Sequence, residues 1–233
     1  MDTGTPPRAP SDRVAGLRLL QLVSPALPIG AFAYSRGLES AVELGWVRDA
    51  ESARAWIGGV LDRTIARLDA PIVLRLHRSI GGADHEATAR WIALADASRE
   101  SGEMQAESRA LGVTFARLLG ELGVASAEEL APPIGTSHLA CFALACVRWD
   151  IEEDDAVRAC LWSALEGQVT AALKLVPLGQ TDGQRILFAE AARIGALASG
   201  AADLADEDLG ALAPGLAIAS ALHETQHTRL FRS

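Results

Sequence analysis

Aromatic residues make up only 5% of this 233-residue chain, with a single tyrosine, and β-branched residues are sparse beside leucine and alanine. No stretch alternates apolar and polar residues over the length of a strand, and no segment repeats at a fixed period. These absences exclude a sheet-based architecture and leave an all-α one, with antiparallel helices joined by short loops. No apolar run reaches the roughly 20 residues of a membrane helix, so no membrane partner is expected. Positive charge is also short. Lys and Arg number 21 against 30 Asp and Glu, giving a formal net charge of −9 and an isoelectric point near 5.0. That excludes non-specific nucleic-acid binding, which needs clustered positive charge. The three cysteines, Cys141, Cys146 and Cys160, are an odd number without a CxxC pair. They read as buried small hydrophobes in a reducing cytosol. Residues 1–12 are polar and proline-rich, with no secretory pattern; a disordered tail and a cytoplasmic location are expected.

What is present is core-forming material. Hydrophobic residues make up 49% of the chain, enough for one domain of roughly ten helices over residues 13–233. Asp12 is placed as the cap of a first helix over residues 13–23, and Gly45 as the end of a short one over residues 36–44. The clearest period belongs to Ala53, Trp56, Ile57, Val60, Leu61, Thr64, Ile65 and Leu68, one apolar stripe at helical spacing. Gly58 and Gly59 interrupt it or admit a neighbouring helix, and Pro71 opens a new helix. Further helices are read over residues 85–98, 101–122, 137–149, 152–175 and 182–197. The charged run through Arg99, Glu100, Glu103, Glu107 and Arg109 reads as a solvated face with local ion pairs. Residues 199–215, small and acidic with three glycines and a proline, read as a mobile linker holding at most a weak helical turn.

Three stretches carry more than packing. Residues 24–39, SPALPIGAFAYSRGLE, set Pro25, Pro28, Gly30 and Gly37 around Phe32 and Tyr34. A turn-rich loop with large apolar side chains is either packed beneath a helical domain or covered by a partner. Residues 174–187, KLVPLGQTDGQRIL, form a helix end, a turn and a helix start, with Gln180 and Asp182 as caps and Lys174 as a surface lysine. Neither GxxxxGK[ST] nor GxGxxG spacing occurs, so no nucleotide site is expected there.

The third stretch, residues 223–233, HETQHTRLFRS, spells HExxH. On a helix, His223 and His227 would share a face suited to zinc, with Glu224 as general base. Only six residues follow His227, leaving little room for the usual downstream ligand, and the sheet that flanks this motif in zinc proteases has no counterpart. A zinc hydrolase is therefore the alternative reading, and a polar-faced terminal helix the simpler one. Arg229, Leu230, Phe231 and Arg232 combine the residue types that anchor protein interfaces, although a helix end docked on its own domain explains them equally well.

Taken together, the order and spacing of SPALPIGAFAYSRGLE, KLVPLGQTDGQ and HETQHTRLFRS resemble the UreF family of urease accessory proteins. The resemblance implies an all-α homodimer with no catalytic chemistry and no stably bound cofactor. It implies a complex with UreD (UreH in some systems) and the GTPase UreG, which binds the GTP. That complex docks on apo-urease and delivers nickel to its lysine-carbamate dinuclear site. It also implies that the chain links the GTPase to UreD, influences GTP turnover and forms part of an internal nickel route. By motif, His223, Glu224, Arg229, Leu230, Phe231 and Arg232 fall in the UreD-binding region, which orders when the partner binds. Phe32, with Tyr34 beside it in the loop, and Arg229 are candidates for the GTPase platform, with Lys174 and its turn a second surface. Ala31 stands where a second glycine is commoner, and His227 where tyrosine is usual; the latter substitution alone creates HExxH.

Overall fold

The computed structural model describes residues 10–233. Among these, helix follows helix and no strand occurs: α1 (Pro10–Leu22), α2 (Leu38–Glu43), α3 (Ala50–Val60), a π-helical segment (Leu61–Asp69), α4 (Ala70–Gly81), α5 (His85–Ala97), α6 (Gly102–Glu121), α7 (His138–Arg148), α8 (Glu153–Leu175), α9 (Gln180–Ala191), α10 (Ile194–Asp203) and α11 (Pro214–His223). The all-α architecture is as expected. Most of the expected tail, residues 1–9, lies outside the described residues. Since α1 begins at Pro10, Asp12 falls within the helix and not at its cap.

Local chemistry sets most boundaries. Asp49, Asp84, Ser101 and Ser137 each accept a backbone N–H from the first turn of the helix that follows. Gly45, at φ 74°, ends the turn after α2 as a left-handed cap. At α9, Asp182 caps as expected, accepting the Gly179 N–H at 3.3 Å, whereas Gln180 is the first helical residue and not a cap.

The stripe from Ala53 to Leu68 does not stop at Pro71. The segment α3–π–α4 is one unbroken helical run, widened to π geometry for nine residues just before the proline. The widened turn relieves the clash of a proline ring with the preceding turn. Proline also lacks the N–H that the Arg67 carbonyl would take in an α-helix. Gly210 supplies a donor instead, its N–H 3.1 Å from that carbonyl, while Leu212 N–H reaches the Arg63 carbonyl at 3.0 Å.

That contact corrects the reading of residues 199–215. The expected helix over residues 182–197 is two helices, α9 and α10. The second continues to Asp203, followed by a 3-10 turn over Asp206–Asp208. The remainder is fastened to the π–α4 run: Arg75, itself mostly buried, binds the Asp206 carboxylate and the Leu204 carbonyl, both at 2.6 Å.

Helices α4 and α8 are the central beams. Leu74 on α4 and Val157, Leu161, Leu165 and Val169 on α8 face a core shared with α2, α3 and α9 to α11. On their other sides, Ile72, Val73 and Leu76, with Ala156 and Ala159, join a second core made with α1, α5, α6 and α7. A helix buried on two sides is apolar around most of its circumference, as residues 70–76 are. At α3, Gly58 admits α9: a Cβ there would sit 3.3 Å from the Glu190 carboxylate. Gly59 meets nothing.

Candidate functional site

The first and last motifs meet in space. After Pro28 the chain turns at Gly30 (φ 84°), makes a 3-10 turn over Ala31–Ala33 and turns again at Gly37 (φ 77°) to enter α2. These positive φ angles suit glycine and strain other residues. A side chain at Gly37 would also press on Leu216 and Ser220 of α11. The C-terminal segment lies along this loop. Arg232 N–H donates to the Ala33 carbonyl at 2.8 Å, and the Ser233 main-chain oxygen accepts from Ser35 N–H at 2.7 Å, Arg36 N–H at 2.9 Å and the Ser35 hydroxyl at 2.6 Å. Of the two readings of the terminus, the structure shows the docked one.

Three carboxylates hold the segment from below. Glu39, on α2, accepts the N–H of Leu230 at 2.6 Å and of Phe231 at 2.9 Å. Glu103, on the first turn of α6, pairs with Arg229 and with His223 Nδ1 at 2.6 Å, while His223 Nε2 faces Glu39 at 3.2 Å. Glu107, one turn further, accepts the Ser233 hydroxyl at 2.7 Å and the Arg36 guanidinium at 2.8 Å. Buried Glu107 holds Arg36 well above the ordinary arginine pKa range. Gln168 of α8 donates to the Ser35 carbonyl at 2.8 Å.

The sequence motif pointed to the segment but not to its anchors. The charged run predicts Glu107 on a solvated face, yet its side chain is 4% exposed. Arg99 of the same run pairs with Asp69 at 2.8 Å, the two side chains 7% and 4% exposed. The partners of Arg99, Glu103 and Glu107 come from distant parts of the chain, so the local-pair reading fails. Arg109 is exposed as expected, but its partner Asp96 also comes from another helix, α5. The available signal was the spacing of Glu103 and Glu107, which puts both on one face of α6.

HExxH does not form the helix face that zinc chemistry needs. Helix α11 ends at His223, and the chain turns at Glu224 and Thr225. His223 is fully buried with both ring nitrogens facing carboxylates, while His227 is exposed. Glu224 accepts the Glu103 N–H at 3.3 Å. Among the described residues no group of three or more His, Cys, Asp or Glu is placed to hold a metal ion.

The other singled-out residues divide by exposure. Phe231 is buried and Tyr34 half-buried, whereas Phe32 and Leu230 are 66% and 64% exposed. Arg229 and Arg232 are also exposed. Lys174, the only lysine in the chain, stands at the end of α8 with its ammonium 6.0 Å from the Phe32 ring centre and 5.5 Å from that of Phe231. Lys174 thus brings the start of the 174–187 stretch beside the loop and the C-terminal segment. Beneath the loop lies a cleft of about 130 Å³, apolar at Leu27, Ile29 and Phe142 and polar where Arg36, His138 and Cys160 meet it. Burial, reinforced by Arg36, lowers the His138 pKa to about 4, and burial pushes the Cys160 thiol up to about 12. Cys141 and Cys146 are buried as expected, whereas Cys160 is half-buried at the cleft wall.

This convergence can be set beside known proteins. The UreF family model matches residues 47–191. A protein described as urease accessory protein UreF 2 of Brucella anthropi is 46% identical over 93% of this chain and 96% of its own length. The urease accessory protein UreF of Chromohalobacter salexigens is 45% identical over 98% of this chain and 99% of its own. The chain belongs to the UreF family. That of Alkalilimnicola ehrlichii is 44% identical over 94% and 96%, respectively. The family model covers α3 to α9, including both beams and the greater part of the two cores. In this UreF-family chain, the loop and the C-terminal segment lie on either side of the matched region and join through the contacts above. Among the described residues no helix is long and apolar enough to cross a membrane.

Proposed function

We propose that this chain is a non-catalytic scaffold of urease maturation in the cytoplasm. It bridges a UreD/UreH-type protein and the GTPase UreG in the complex that docks on apo-urease, and it modulates GTP-dependent delivery of nickel to the dinickel site. Nickel is cargo of the whole complex, GTP belongs to UreG, and the chain itself acts as a homodimer with no stably held cofactor. One observation carries this reading. The docked C-terminal segment and the central loop together expose Phe32, Leu230, Arg229 and Arg232 beside Lys174. Apolar anchors rimmed by cations, on a backbone held by hydrogen bonds, are the makings of a preorganised protein interface.

The first test is co-purification with UreD and UreG of the same host, using the full chain and a version ending at Ala221. The full chain is expected to carry both partners and the shortened one to lose UreD. Because the shortened chain also lacks the buried His223 and Phe231, Leu230→Ser serves alongside it, altering an exposed side chain only. Retention of UreD by a folded Leu230→Ser protein would count against the terminal segment as its docking site.

A further inference from the structure

The buried contacts of His223 set a requirement on its protons. Its Nδ1 is 2.6 Å from Glu103 Oε2 and its Nε2 3.2 Å from Glu39 Oε2. An ionised carboxylate only accepts, and neutral imidazole has one N–H, so two such contacts need both ring nitrogens to donate. Each carboxylate is already an acceptor elsewhere: Glu39 for the Leu230 and Phe231 amides, Glu103 for Arg229. We propose that His223 is a proton-held latch for the C-terminal segment, its imidazolium bridging Glu39 on α2 and Glu103 on α6.

The charges that face one another are Glu39 from α2, Glu103 from α6, Arg229 from the segment and the ring at the end of α11. Two anions meet two cations. Removing one ring proton leaves an excess negative charge beside a fully buried side chain and turns a nitrogen lone pair toward a carboxylate oxygen. Glu39 couples this event to the segment, because its Oε2 accepts from both His223 Nε2 and Phe231 N–H. The latched state binds one more proton than the released one. The latch therefore holds while both carboxylates are ionised and both ring nitrogens carry protons, and it loosens when the ring loses one. This inference regulates the surface described under Proposed function and rests on that reading for its consequence, but the latch is a property of the chain alone.

The test uses the full-length protein labelled with ¹⁵N-histidine, with amide hydrogen exchange followed from about pH 6 to about pH 9. Two protonated ring nitrogens are expected for His223 in the latched state. Exchange of the Leu230 and Phe231 amides, corrected for base catalysis, should rise roughly tenfold as the ring loses a proton, while α8 stays protected. In Glu103→Gln the side-chain amide donates to a neutral ring, so protection should persist and its pH dependence should flatten. His223→Gln should leave the segment weakly protected at every pH. A single neutral tautomer at pH 7 with the segment fully protected overturns the latch, as does protection that ignores the titration of His223. No partner enters these readouts, so their failure is distinct from failure of the bridging role.

Discussion

Single side chains in this molecule separate into charges that hold distant segments and charges that only face water. Asp69 and Arg99 are nearly fully buried together. Asp69→Ala would leave a buried guanidinium unpaired and should cost about 3–5 kcal/mol, read as a shifted midpoint in chemical denaturation. Arg109→Ala, at the surface pair with Asp96, should cost about 0.2–1 kcal/mol. His138 gives a pH prediction of known sign. Its folded-state pKa, about 4, lies below the roughly 6.5 of a free histidine. The unfolded chain therefore takes up a proton that the folded one refuses. Stability from this residue is complete above pH 6.5 and is lost as the pH falls toward 4. Thermal melts of wild type and His138→Phe should diverge in slope over that interval, with the variant less acid-sensitive. At this scale the sequence was half legible. The terminal motif stood out because Arg, Leu and Phe cluster where the chain ends. Glu107 did not, because adjacency in sequence offers nearby opposite charges, whereas its partners Arg36 and Ser233 arrive only through the fold.

Helices were the most legible elements, since each carries its own period and cap; α5, α6, α7 and α8 lie within a residue or so of where pattern and capping residues put them. The run through Pro71 was not, because a proline reads as a helix start when its neighbours are unseen. Here π widening and the N–H of Gly210 accommodate it. Residues 204–212 were misread for a related reason. Small, acidic composition signals freedom, but the contacts that fasten them come from Arg75 and from carbonyls of the π segment. Arg75→Ala should raise amide exchange across residues 204–212 while leaving α8 unchanged, as followed by peptide-level exchange. Gly112 offers a sharper test of element packing. A Cβ there would lie 2.6 Å from the Ser137 backbone nitrogen. Gly112→Ala must therefore push α6 off the loop entering α7 and should destabilise by about 1–3 kcal/mol.

The whole molecule places two cores on either side of α4 and α8 and lets the loop and C-terminal segment close over one end. That arrangement ties the presented surface to the cores through α8, whose Gln168 grips the loop and whose Lys174 stands beside Phe32 and Phe231. The most direct test of the scaffold reading is light scattering on size-exclusion fractions of the chain co-expressed with UreD and UreG, wild type beside Leu230→Ser and Phe32→Ser. The wild type should elute as a complex containing all three proteins, Leu230→Ser should lack UreD, and Phe32→Ser should keep UreD while losing UreG. A wild-type chain that elutes without either partner, or folded variants that retain both, would contradict the assignment of this surface.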